Sequence, residues 1–194
     1  MDARISHPPV PGGAATDGLA SPAHPTTEAD SLAERFRAVR AQTETICEPL
    51  EIEDYVVQAM TDVSPTKWHL AHTTWFWETF VLREFAEGYE LHDERYPFLF
   101  NSYYVQAGER HCRARRGYLS RPTVEQVFAY REAVTRAMET FLETFDERER
   151  PEVADVIEVG LHHEQQHQEL MVTDLKYVFS VNPLRPVYRE RPLV

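Results

Sequence analysis

From Pro151 to Ser180 the chain runs without another proline, and its apolar residues recur at spacings of three and four. That length exceeds any ordinary strand, so the stretch reads as one long helix opening at Pro151 and ending before Pro183. One stripe of it carries Val156, Gly160, His163, His167, Leu170 and Asp174. A helix this long has to cover its stripe with other helices, and the rest of the chain supplies them. Residues 29–47 place Leu32, Phe36, Val39 and Ile46 on one face, with Pro49 as the stop. Ser64-Pro65 reads as a helix start, with Ser64 as cap and Pro65 as first helical residue, and the helix can run to Gly88. A further helix is predicted over about 123–146, through Val127, Tyr130, Val134, Met138, Phe141 and Phe145. Residues 90–121 look irregular, broken by Pro97, Gly108 and Gly117. Almost no alternating pattern occurs, so the expected fold is an all-α four-helix bundle.

Residues 1–28 are rich in Pro, Gly, Ala and Ser and lack a periodic pattern. They are expected to form a disordered tail, because they cannot bury enough apolar surface to offset ordering entropy. His7 and His24 lie there and read as solvated. The bundle is assigned to residues 29–186 and the start of a linker to 187–194.

Charge and cysteine content narrow the function. With 20 basic against 32 acidic residues the formal charge is −12, which disfavours nucleic acid and anionic membranes as partners. Two cysteines, Cys47 and Cys112, make no disulfide framework, and neither a secretory signal nor a membrane span is evident. A cytoplasmic setting is expected.

The chemistry concentrates in histidines. In HEQQH, His163 and His167 are four apart, so both imidazoles leave the helix on one side, one turn apart. His72 lies on a second apolar stripe, with Trp68, Trp75, Thr79 and Leu82. Two imidazoles on one helix met by a third across a bundle is how bundle metal sites are built. His69 and His162 fall off these stripes and read as surface residues or outer supports. His162, Gln166 and Glu169 form a competing stripe, weakened because Gln is a poor ligand. HEQQH also matches the zinc-peptidase pattern, but the chain continues QELMVTDLK, without the glycine and third histidine of the extended form. Three neutral imidazoles with open positions suit Fe(II), Zn or Ni, and residue types alone do not choose among them.

Three segments carry a resemblance: SPTKWHLAHTTWFWETFVL (64–82), FLFNSYYVQAGERHCRARRGYLSRPTVEQV (98–127) and HHEQQHQELMVTDLKYVFSVNPLRP (162–186). Together they resemble the N-terminal DinB-like domain of ergothioneine-biosynthesis sulfoxide synthases of the EgtB type, over about residues 30–194. The resemblance implies a three-histidine Fe(II) centre of His72, His163 and His167. It also implies an activity: joining hercynine to cysteine or γ-glutamylcysteine with O₂ to give a sulfoxide. A related branch makes the selenium analogue, selenoneine. In that family a second domain, of the formylglycine-generating-enzyme type, follows the bundle and supplies the catalytic tyrosine. Residues 187–194 are expected to be the start of the linker to it, with the domain itself missing. The expectation is therefore a chain that binds iron but makes no sulfoxide without that domain or a separate chain carrying it.

Around the histidines, Arg110, Arg113, Arg115, Arg116 and Arg121 concentrate positive charge. Arg113, Arg115 and Arg116 are assigned to co-substrate carboxylates, which arginine forks bind well; a solvated loop is the plainer reading. Gln166 and Glu169 are assigned to hydrogen bonds that orient a ligand or a water. Trp68, Trp75, Phe76, Trp77 and Phe80 read as core rather than as a cage for trimethylammonium. Two other functions stay open: a standalone DinB-like thiol transferase using zinc or nickel, and a non-catalytic bundle serving as an interaction domain.

Overall fold

The computed structural model describes residues 31–102, 108–146, 148 and 150–190. The tail expected over 1–28 and the end of the linker, 191–194, lie outside the described residues, as do Tyr103 and Tyr104 of the NSYY segment.

Four long helical segments make the bundle. Helix α1 (Leu32–Cys47) starts at a reciprocal cap: the Ser31 hydroxyl accepts from Glu34 N, and the Glu34 carboxylate accepts from Ser31 N at 2.9 Å. Helix α2 (Thr66–Trp77) passes through a wider π turn, Glu78–Leu82, into a last turn, α3 (Arg83–Phe85). A short α4 (Tyr96–Phe100) and a 3₁₀ segment (Arg113–Tyr118) lie within the irregular region. Helix α5 (Val124–Glu143) repeats the reciprocal cap with Thr123 and Gln126, and α6 spans Pro151–Val181. Among the described residues there is no strand, so the chain is all-α.

All twelve residues of α2 are buried. A helix covered on every side sits at the centre of its layer: α2 packs against α5, α6 and α4, while α1 packs against α6 and α5. The start of α2 differs from the expected one. Pro65 is the cap residue and Thr66 the first helical one, with no side-chain cap. Ser64 is engaged elsewhere, its hydroxyl accepting from Arg116 at 2.9 Å. The helical end also comes earlier, at Phe85, and Gly88 takes its positive φ of 72° in the following turn.

One polar node of the core joins all four long helices. Glu164 of α6 is fully buried and accepts from Arg40 (3.1 Å) and Thr43 (2.8 Å) of α1, Trp77 (2.8 Å) of α2 and Arg131 (2.7 Å) of α5. Burial by itself would raise this carboxyl, but Arg131 and Arg40 outweigh it and hold it below the ordinary carboxylate range. Arg40 is pushed down to about 10 by burial and by Arg131, so it stays charged at neutral pH. The buried face of α6 thus runs through Val153, Ile157, Gly160, Leu161, Glu164, His167, Met171 and Leu175; it includes Gly160 and His167 of the stripe read from the sequence, whereas Leu170 is exposed. Gly160 is where α6 meets α2 most closely: a Cβ there would lie 2.5 Å from Trp77 and 3.0 Å from Phe76.

Both features give a stability test by urea unfolding. Glu164→Ala strands two buried guanidinium groups and is expected to cost about 3–5 kcal/mol. Gly160→Ala overpacks the indole and is expected to cost about 1–3 kcal/mol. A Glu164→Ala loss below that of Gly160→Ala would show that the node is not what joins the helices.

Candidate metal centre

His72 comes from the middle of α2, and His163 and His167 come from α6. Each can offer a ring nitrogen such that the three lie within 4.8 Å of one another. His72 is 1% exposed and lies between two indoles, Trp68 at 4.5 Å and 14° and Trp75 at 5.4 Å and 18°. Its Nδ1 is 2.5 Å from the carbonyl oxygen of Phe100, at the end of α4. A carbonyl only accepts, so Nδ1 carries the proton and Nε2 is left with a lone pair. That Nε2 lies 3.1 Å from Nε2 of His163, whose ring stacks on Phe76 at 4.6 Å.

The third histidine is held by His69 of α2 and, through it, by Asp174 of α6. His167 Nδ1 lies 2.9 Å from Nδ1 of His69, and Nε2 of His69 lies 3.0 Å from the Asp174 carboxylate. The same carboxylate oxygen accepts from Ser64 N at 2.8 Å, which ties the start of α2 to α6. His69 is buried, so of the two roles read for it from the sequence, surface residue or outer support, its position fits the second. Its signal was available, since Asp174 lies on the His167 stripe two turns on.

Burial drives all four imidazoles toward the neutral form. It lowers His69 against the opposing pull of Asp174, and lowers His72 well below its ordinary value with help from His163. His163 is lowered to about 4 by burial; His167 is lowered by burial and then by His72 and His69. Neutral imidazoles are the form that binds metal. Two nitrogens held at roughly 2.0–2.1 Å from one ion stand roughly 3 Å apart when adjacent, and the observed 3.1 Å edge fits that spacing. The donor set therefore fits a divalent transition metal.

The cluster opens onto a cavity of about 520 Å³, whose lining includes all four histidines with Ser64, Ser102, Arg113, Arg116, Gln166 and Leu170. A second cavity of about 380 Å³ shares Ser102, Arg113 and Arg116 and adds Arg110, His111 and Cys112. Positive charge so gathers beside the histidines of an acidic chain. Arg116 is 5% exposed, lies 3.2 Å from the Trp68 ring, and donates to Ser64 and Ser102. Arg113 is exposed and donates to the Asp62 carbonyl. Arg115 is exposed and lines neither cavity, because the 3₁₀ segment turns it away from Arg113 and Arg116. Gln166 reaches the larger cavity, whereas Glu169 is exposed and lines neither. The carboxylate that supports a histidine of the cluster is that of Asp174, through His69. The competing His162, Gln166 and Glu169 stripe faces outward.

Among the described residues no helix is long and apolar enough to cross a membrane. Comparison with curated proteins gives no match. The chain does match the DinB superfamily over residues 35–171, an interval that runs from the first turn of α1 to Met171 of α6 and contains all three clustered histidines. DinB-like domains bind metal, and His72, His163 and His167 are a cluster that could hold an ion. On that match, which covers well over half of its length, the chain belongs to the DinB superfamily.

Proposed function

We propose that this chain is the metal-binding bundle of a non-haem iron enzyme of the EgtB sulfoxide-synthase type, with His72, His163 and His167 as the ligands. The observation that carries the reading is the clustering of three neutral imidazoles at the wall of a cavity flanked by arginines. The sequence resemblance over residues 64–82, 98–127 and 162–186 supplies iron and the thiol and hercynine substrates.

In this reading the chain's own groups bind and orient. Three neutral ligands leave an ion its full charge and several open positions on the cavity side. When bound, Fe(II) supplies the redox chemistry with O₂ that no side chain offers, and its charge favours the thiolate form of a nearby thiol. Arg113 is assigned to the carboxylate of cysteine or γ-glutamylcysteine; its exposure and its place in the lining of both cavities support that role. Arg116 keeps its charge beside that junction while its donors hold Ser64 and Ser102. Gln166, on the rim, can hydrogen-bond a second substrate such as hercynine. Sulfoxide formation requires the second domain, on this chain's continuation or on a separate chain. The selenoneine branch would use the same three histidines.

A second reading, a DinB-like thiol transferase using zinc or nickel, rests on the same cluster and on the superfamily match. A bundle serving only as an interaction domain would need no metal at all.

Anaerobic titration of the metal-free chain separates these readings. A single Fe(II) per chain is expected, lost in His163→Ala and in His72→Ala. Strong preference for zinc or nickel over iron would favour the transferase; no uptake of any of the three would sink the metal reading. With Fe(II) bound, Arg113→Ala is expected to weaken cysteine or γ-glutamylcysteine binding about tenfold, as loss of a charged hydrogen bond does. Arg115→Ala is expected to leave it unchanged. Equal effects of the two substitutions would remove Arg113 from the site.

A further inference from the structure

The His69–Asp174 pair is a polar contact of the cluster that no substrate or ligand role explains. The pair bridges α2 and α6 away from solvent: the side chain of His69, on α2, is 3% exposed and that of Asp174, on α6, 13%. With His69 neutral, each contact in the line has one proton direction. The carboxylate accepts, so His69 Nε2 donates across 3.0 Å. A neutral His69 then has a bare Nδ1, which must accept the proton of His167 Nδ1 across 2.9 Å. What remains on His167 is a bare Nε2. The Ser64 amide, 2.8 Å from the same carboxylate oxygen, holds Asp174 in place from the start of α2.

We propose that His69 and Asp174 are a positioning pair that locks His167 into the tautomer protonated at Nδ1, so that Nε2 is presented to the metal. The proposal rests on the metal reading above. The pair does for His167 what the Phe100 carbonyl does for His72, with one difference: its last acceptor is charged. A carboxylate acting through an imidazole draws the shared protons outward and makes the ligand nitrogen the stronger donor. His167 is therefore the most electron-rich of the three ligands, and Asp174 sets its strength from two turns along α6. Neither residue of the pair ligates the ion.

The first test needs no metal. Nitrogen-15 correlation spectra of the metal-free chain should show His167 protonated at Nδ1 and His69 at Nε2; the opposite tautomer at His167 overturns the proposal. The second test is affinity for Fe(II) or Co(II) in Asp174→Asn, Asp174→Ala and His69→Phe, each checked for retained helical content. Loss of the pair is expected to weaken binding about 10–100-fold. Asp174→Asn, which keeps an acceptor oxygen, should recover part of what Asp174→Ala loses. Unchanged affinity in all three, beside a His163→Ala chain that has lost its metal, sinks the pair and leaves the metal reading standing. A wild-type chain that takes up neither metal sinks both.

Discussion

The buried carboxylate of Glu164 fixes the rotation of α6, and the site follows from that rotation. Successive residues of an α-helix advance by about 100°. With Glu164 directed into the core toward Arg40, Arg131 and Trp77, His163 falls roughly 100° to one side and His167 roughly 60° to the same side. Asp174 falls between them, two to three turns along, so it can reach a residue that touches His167. Glu169 falls on the far side and points to water. The node also explains why the helix cannot turn to bring Leu170 inward. That rotation would pull a carboxylate away from two buried guanidinium groups, and in a low-dielectric interior the unpaired charges would be prohibitive.

What α6 does by rotation, α2 does by burial. A helix covered on all sides can hold His72 between Trp68 and Trp75 with no freedom of ring orientation, and the Phe100 carbonyl then settles its proton. The side of the cluster that stays open is the one facing the Arg113–Tyr118 segment. Arg116 spans both regions: its guanidinium covers Trp68, which covers His72, while its donors gather Ser64 and Ser102. The wall of the cavity and the seat of a ligand are therefore one packed stack.

The bundle was legible because periodicity and proline report helices directly, and α1, α5 and α6 begin and end close to where the text places them. The histidine cluster was legible because i and i+4 on one helix is a geometric statement. Three things were not. The cap of α2 was misread because Ser64 has two uses for its hydroxyl, and the competitor, Arg116, lies far along the chain. Glu164 was passed over because a carboxylate in a polar motif looks solvated until its partners on three other helices are known. Arg113, Arg115 and Arg116 could not be sorted, since a 3₁₀ segment sends neighbouring side chains to different sides and its turns leave little pattern in sequence.

These misses share a physical cause that bears on the site. Each involves a polar side chain satisfied by a distant element, and such contacts are the ones that convert a bundle of apolar stripes into a fixed constellation. Apolar packing tolerates small rotations, because dispersion contacts are many and individually weak. A hydrogen-bonded line such as Asp174, His69 and His167 does not, since a displaced donor leaves a buried acceptor unpaired. The apolar stripes thus decide that four helices meet, while Glu164, Asp174 and the Phe100 carbonyl decide which nitrogen atoms face one another when they do.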